Sequence, residues 1–448
     1  MGKYFGTDGI RKKSVEFNKN FVNGIVTPLI KLLKEENDTP TILIGGDTRE
    51  STKTIIETCM DICIHNGAQY INIGVMPTPS ISYLTTQYHC DGAIVVTASH
   101  NPSVDNGIKI LNKNGEKLDD NIIEKLESYM DDYQGQEINE YSTYINSHDE
   151  AKDKYIKYLS DIIKTSLKGL KIGIDCANGA TSVIAKDIFK MLDAELMVIN
   201  EDSSYGDKIN DGCGSTHMEA IQKLVIENNL DFGCSFDGDG DRCLMVDNEG
   251  NVIDGDQIIA IIAESLRENR KLNDDKIAIT IMANQGLMIW AKENNINTEV
   301  TKVGDTYVYE AMKKYDISLG GEQSGHIIMP NQKTGDGILT GLTISEIVEN
   351  TNKSLKDLAS VMNKYPQIIR NMYSDDIDKE IFKKDEVQLI VKEYDEMIKN
   401  ENGKLLIRAS GTEELIRITI WGEDIKKITD YAEEIEEKLK NKINTFKR

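Results

Sequence analysis

Short apolar runs alternate along most of the chain with stretches in which apolar residues return every three to four positions. That alternation predicts α/β units on mixed or parallel sheets, since a half-buried helix repeats near 3.6 residues and a doubly buried strand reads as an unbroken apolar run. Strands are expected at 41–45, 92–97, 171–175, 231–236, 276–282 and 317–320, and helices at 51–66, 120–133, 151–165, 182–192, 217–228, 256–268 and 305–315. Beyond residue 384 the order becomes helix 384–400, strands 404–409 and 415–421, and helix 424–440, the pattern of a smaller α+β domain.

A chain of 448 residues is too long for one core. Polar connections at 134–149, 247–255 and 364–376 divide it into expected domains 1–149, 150–254, 255–365 and 366–448. No sequence repeat of the length that builds solenoids is present. Each domain does carry one glycine-rich polar loop just after a strand. Ligands gather at the carboxyl ends of strands in open α/β sheets, so the four loops are able to share one cleft.

Charge narrows the ligands. The formal net charge of −23 argues against nucleic acid and anionic lipid as partners, because both need a basic footprint. An anionic small molecule then has to be held by local arginines and lysines. No apolar stretch approaches the ~18 residues of a membrane span and the N-terminus has no apolar leader core, so the chain reads as cytoplasmic. Seven cysteines without a C-x-x-C spacing read as reduced, buried thiols. Cys59 and Cys63 share a helix face near His65, a pattern more common in a core than at a metal.

Four loops carry candidate chemistry. In the first, Ser99 lies in Thr97-Ala98-Ser99-His100-Asn101-Pro102, where a tight turn after a strand presents a nucleophile or phosphoryl carrier, or else a plain turn serine. A Ser-His hydrolase is disfavoured, since sequence neighbours do not readily face each other and no G-x-S-x-G elbow is present. In the second, Asp237, Asp239 and Asp241 alternate with glycines and offer oxygen ligands to a hard cation, with a solvated acidic turn as the alternative. An EF-hand is excluded, because Arg242 and Asn248 stand where it needs Gly and Glu. The third, Gly320 to His326, contributes Glu322, Gln323, Ser324 and His326, groups suited to several hydroxyls of one sugar. The fourth sets Arg408 and Arg417 around Ser410, Gly411 and Thr412 as an anion nest, unless the arginines simply pair with Glu413 and Glu414. Arg11, Lys109 and Arg242 add the positive lining an acidic protein needs to hold a phosphosugar.

These four loops, in this order and over essentially the whole chain, resemble those of the α-D-phosphohexomutases. The resemblance implies four domains around a central cleft: three related mixed-sheet α/β domains and a smaller C-terminal α+β domain. It implies that Ser99 carries the phosphoryl group and, with Asp237, Asp239 and Asp241, binds one Mg²⁺. It assigns Lys109 as general acid/base and Arg11, Arg242 and His326 as catalytic-site residues. Glu322 and Ser324 would bind sugar hydroxyls, and Arg408, Ser410, Gly411, Thr412 and Arg417 the phosphate not being transferred. A hexosamine 1,6-bisphosphate is the implied intermediate and activator, a phosphosugar the substrate, a homodimer the assembly, and diadenylate cyclase a regulatory contact. The opening Phe5 to Arg11 and Gln323 resemble the branch that acts on glucosamine phosphates and feeds UDP-N-acetylglucosamine and cell-wall synthesis. A mutase acting on mannose or glucose phosphates, a metal-dependent sugar phosphatase and a silent phosphosugar sensor stay open as alternatives. Lys12, Thr306 and Glu414 depart from the family pattern, which commonly has glycine, a basic residue and proline there.

Overall fold

Three times in succession the chain builds the same hairpin-ended sheet. A computed structural model describes residues 2–138, 147–373, 382–409 and 415–447. The first sheet contains β1 (Ile10–Lys13), β2 (Thr41–Gly46), β3 (Gln69–Val75), β4 (Gly92–Val96) and β5 (Asp105–Asn112), in the order β1-β5-β4-β2-β3. The second contains β6 (Lys171–Asp175), β7 (Glu195–Ile199), β8 (Phe232–Phe236), β9 (Cys243–Asp247) and β10 (Val252–Ile253), in the order β10-β9-β8-β6-β7. The third contains β11 (Lys276–Thr280), β12 (Asn297–Thr301), β13 (Leu319–Gly321) and β14 (Ile327–Ile328), in the order β12-β11-β13-β14.

In each sheet a central strand pairs in parallel with two neighbours, and the second of these turns back into an antiparallel partner. The sharp returns are β4–β5, β8–β9 and β13–β14, and their tips hold Ser99, the Asp237–Asp241 run and Glu322–His326 respectively. Three of the four sequence loops therefore occupy one topological position, a hairpin turn rather than a strand-to-helix crossover. The likeness among the domains lies in backbone pairing, which a search for sequence periods does not register.

The strands expected from apolar runs form because they are buried: every residue of β4 and β8 is inaccessible to solvent. The helix Gly255–Glu268 starts where Asp254 accepts from the Asp256 and Gln257 amides in a capping box. Three expectations need correction. The helix expected at 182–192 is a 3-10 turn, Ala180–Val183, followed by a short helix, Ala185–Met191. The connection expected at 247–255 contains β10, paired with β9. The one expected at 364–376 contains β15 (Gln367–Tyr373).

The chain forms two compact units, residues 1–282 with 296–361 and residues 283–295 with 362–448. The three sheets above belong to the first. The second holds β15, β16 (Lys404–Ala409) and β17 (Leu415–Trp421) in the antiparallel order β15-β17-β16. Its core gathers Met372, Val387, Tyr394, Ile416, Ile418 and Ile420 with the inner face of the helix Ile425–Lys447. Among the described residues no helix is long and apolar enough to cross a membrane. All seven cysteines are free and buried, and burial pushes the Cys63 thiol up to about 12, which keeps that thiol protonated.

Candidate active site

Ser99 and the three aspartates meet. Ser99 sits at the β4–β5 tip with φ of 52°, a left-handed conformation that costs a non-glycine residue about 1–2 kcal/mol. Its Oγ donates to Asp237 Oδ2 at 2.7 Å, although the two residues are 138 positions apart. Asp237, Asp239 and Asp241 are buried, and each offers a carboxylate oxygen within 4.8 Å of the others. At an effective dielectric of about 20, unit charges 4.8 Å apart repel by about 3 kcal/mol. Burial, reinforced by Asp241 and Asp239, holds the Asp237 carboxyl well above the usual carboxylate range. Asp239 Oδ1 and Asp241 Oδ1 are buried and accept no hydrogen bond among the described residues. A cluster of three hard carboxylates with unused lone pairs fits a divalent cation. It is the group of metal-ligating side chains that converges among the described residues; Cys59, Cys63 and His65 do not form another.

Lysine and arginine side chains border the acids. Lys109, on β5, places Nζ 2.8 Å from Asp239, 3.4 Å from Asp241 and 2.9 Å from Asp8. Burial alone would lower its pKa, but these carboxylates outweigh burial and raise it well above the lysine range. Arg11, on β1, donates to Asp8 and lies 3.5 Å from Asn101 Oδ1, and its buried Nε has no partner among the described residues. The Arg242 amide donates to Asp237 Oδ1 at 3.1 Å, and its buried Nε makes no hydrogen bond but lies in an ion pair 3.9 Å from Asp241 Oδ1.

The Glu322–His326 loop joins the Asp237–Asp241 loop through backbone. Arg242 and His326 form an antiparallel bridge, and the Cys243 amide donates to Gly325 O at 3.0 Å. His326 lies buried with Nδ1 3.6 Å from Asp241 Oδ1, while the Gly335 amide donates to Nε2 at 2.8 Å. Burial opposes charge on this ring, whereas Asp241, Asp305 and Glu322 raise its pKa to about 9. The Gly335 contact needs a lone pair on Nε2 and so belongs to the neutral ring with its proton on Nδ1; the charged ring gives it up and leaves Nε2 facing Asp305 Oδ2, 3.6 Å away. Glu322 Oε1 accepts from the Gly304 amide at 3.0 Å, and Ser324 Oγ is buried without a partner among the described residues.

His100 corrects one expectation. Its Nδ1 comes within 3.4 Å of Ser99 Oγ, so these sequence neighbours do approach. Burial and the charges of Arg242 and Arg11 lower the His100 pKa to about 4, leaving a neutral ring. The Ser99 proton nevertheless points to Asp237, at the shorter distance.

In the second unit Arg408 and Arg417 are directly paired across β16 and β17. Burial, then the charge of Arg417, lowers the Arg408 pKa. Arg417 Nε donates to Asn371 Oδ1 at 2.9 Å. Ser410, Gly411 and Thr412, with Glu413 and Glu414, lie outside the described residues.

Sequence reasoning passed over several residues that border the acids. Thr78 donates to Asp239 Oδ2 at 2.6 Å, and Asp8 gathers Arg11, Lys109 and Lys117. Lys117 also reaches Asp305 at 2.6 Å. An acid inside the glycine-rich opening was a signal for Asp8; nothing local marks Thr78. Of the departures, Lys12 pairs with exposed Glu16, and Thr306 Oγ1 donates to Thr7 O at 3.1 Å.

Four phosphoglucomutase/phosphomannomutase models match: alpha/beta/alpha domains I, II and III at residues 2–137, 153–250 and 254–365, and the C-terminal domain at 348–438. Phosphoglucosamine mutase of Clostridium botulinum (strain Langeland) is 41% identical over 457 residues, covering 99% of this chain and 100% of that protein. Its counterpart in Caldicellulosiruptor bescii is 41% identical with the same coverage. Among solved structures, a phosphoglucomutase/phosphomannomutase family protein from Burkholderia thailandensis superposes with a TM-score of 0.80 at 20% identity, covering 99% of this chain and 98% of that one. Aspergillus fumigatus N-acetylphosphoglucosamine mutase, solved with GlcNAc-6P and magnesium, gives 0.67 at 16% identity, covering 98% and 96%. At these identities the solved structures speak for the fold, whereas the domain models and the full-length relatives establish kinship. The chain belongs to the phosphohexomutase family, and the phosphoglucosamine mutases are among its relatives.

Proposed function

We propose that the chain interconverts glucosamine 6-phosphate and glucosamine 1-phosphate, with Ser99 as phosphoryl carrier and a hexosamine 1,6-bisphosphate as intermediate. The observation that carries the reading is the 2.7 Å contact between Ser99 Oγ and the buried Asp237–Asp239–Asp241 cluster. Full-length relatives named phosphoglucosamine mutase supply the substrate.

In the first half-reaction the bond from phosphorus to Ser99 Oγ breaks, and a bond forms from phosphorus to the free hydroxyl oxygen of the sugar monophosphate. The hydroxyl proton leaves and Ser99 Oγ gains one. The bisphosphate then turns over, and Ser99 Oγ takes the phosphoryl group from the other end. Asp237, Asp239 and Asp241 would hold Mg²⁺, which supplies neutralisation of phosphoryl charge. Lys109, the general acid/base of this reading, is held charged by the same acids. Arg11 and Arg242 would offer guanidinium hydrogens to phosphoryl oxygens. Glu322, Ser324 and His326 would orient the sugar, and Arg408, Ser410, Gly411, Thr412 and Arg417 would bind the distal phosphate.

The reading carries domain bounds at 149, 254 and 365, a homodimer, a cytoplasmic location and a regulatory contact with diadenylate cyclase as parts of the same proposal. The test is a comparison of glucosamine, glucose and mannose 1-phosphates, with free phosphate followed alongside. Preferred turnover of the glucosamine compound with almost no phosphate released supports it. Equal or better turnover of a neutral hexose overturns the substrate, and stoichiometric phosphate release overturns the mutase.

A further inference from the structure

The carbonyl of Ser99 is held from both sides. Arg49, which follows β2, is fully buried and spends its whole guanidinium on the Ser99 loop and its support. Its Nε donates to Asp47 Oδ2 at 2.9 Å. Nη1 donates to the carbonyls of Pro102 and Asp105, and Nη2 to those of Ser99 and Asn101, both at 2.8 Å. Asn210, from the loop that follows β7, donates through Nδ2 to the same two carbonyls, Ser99 at 2.9 Å and Asn101 at 3.0 Å.

The amide side of Ser99 is held as well. Ser99 N donates to Thr97 Oγ1 at 2.8 Å, and Thr97 Oγ1 donates to Asp47 Oδ2 at 2.7 Å. Asp47 is thus the common anchor of Arg49 and Thr97. Asn210 is itself tied to β2's end, because Gly206 and Arg49 form a parallel bridge, with Gly206 N donating to Thr48 O at 2.8 Å. The metal loop rests on the same point: a Cβ added to Gly238 would lie 2.6 Å from Ser99 O and 2.7 Å from Asn210 Nδ2.

We propose that Arg49 and Asn210 are positioning residues that hold the left-handed Ser99 peptide so that Oγ keeps its place against the Asp237–Asp239–Asp241 cluster. Left-handed serine relaxes toward negative φ unless its surroundings hold it. Relaxation swings the side chain about the peptide and carries Oγ off the acids. The proposed cycle uses Ser99 twice, first as leaving group and then as nucleophile, so a misplaced Oγ harms both steps while leaving the sugar contacts alone. The inference rests on the mutase reading for its kinetic part and on geometry alone for the rest.

The test uses Asn210→Gly in the full-length protein, since Asn210 has φ of 58°, which glycine adopts without strain. Arg49→Lys is the second variant; it keeps charge but loses the fork, and Asn210→Gly serves if it does not fold. Two readouts are taken: kcat and KM for glucosamine 1-phosphate with Mg²⁺, and hydrogen exchange at the amides of residues 98–101. The expected result for Asn210→Gly is kcat reduced about tenfold or more, KM within about threefold, and faster exchange confined to the Ser99 loop. Unchanged kcat, or a raised KM at unchanged kcat, overturns the proposal when the wild type is active. A wild type inactive on glucosamine phosphates sinks the substrate assignment; loop exchange then decides the clamp, faster exchange upholding it and unchanged exchange overturning it.

Discussion

Asp336 shows how a single buried carboxyl sets a measurable pH dependence. It caps the helix Gly337–Thr351 by accepting from the Leu339 amide, and it accepts the Tyr155 hydroxyl. Burial raises its pKa to about 6 from 3.8. The folded chain therefore binds a proton that the unfolded chain releases above pH 3.8, so stability is lost as pH rises through about 6 and the loss then levels off. With about 1.4 kcal/mol per unit, the cost at neutral pH is about 3 kcal/mol. Asp336→Asn keeps an acceptor for the cap and removes the buried charge. Its melting temperature is expected to exceed wild type at about pH 8, with the gap about halved near pH 5 and closed below about pH 4; a gap that does not narrow on acidification contradicts the assignment. At the acids, Asp239→Asn removes an anionic ligand and one partner of Lys109, and the Mg²⁺ concentration for half-maximal activity should rise about tenfold or more. An unchanged metal titration counts against this cluster as the site.

Among the elements, the hairpin turns do most to assemble the site. Gly325 has φ of 91°, and a Cβ there would lie 2.4 Å from Cys243 O, the carbonyl of the strand that follows the metal loop. Gly325→Ala is expected to cost about 2 kcal/mol or more by chemical denaturation and to raise KM for the sugar phosphate. Retained stability and KM would show that the two loops need not interlock. The same turns explain what the sequence reveals. β4 and β8 are legible because they are apolar and buried on both faces. β5 is not, because Asp105, Asn106 and Lys109 break its apolar run, and Lys109 is there to face the acids. The helix Lys19–Leu33 is masked by Gly24 and Pro28, yet forms because Val22, Ile25, Val26, Leu29 and Ile30 bury one face. Ser99 and the aspartates are recognisable from residue type and spacing. Thr78, Arg49 and Asn210 are not, since their partners come from distant segments and an isolated Thr, Arg or Asn carries no pattern.

For the molecule as a whole, a net charge of −23 and an anionic substrate are reconciled by concentrating cations locally. Arg11, Lys109 and Arg242 converge within the first unit, and Arg408 and Arg417 pair in the second. Ser99→Ala should lower transfer by about three orders of magnitude or more with an unchanged melting temperature, because only an exchangeable hydroxyl is lost. Substantial residual mutase activity would exclude the phosphoserine route. The most direct test follows the phosphoryl group itself: glucosamine 1,6-bisphosphate labelled in phosphate is mixed with the protein and Mg²⁺, and the label is traced by peptide mapping. One labelled phosphate on Ser99, chased quantitatively onto added glucosamine 1-phosphate with almost none reaching water, is the predicted result. Label on another residue, or label recovered only as free phosphate, would contradict it.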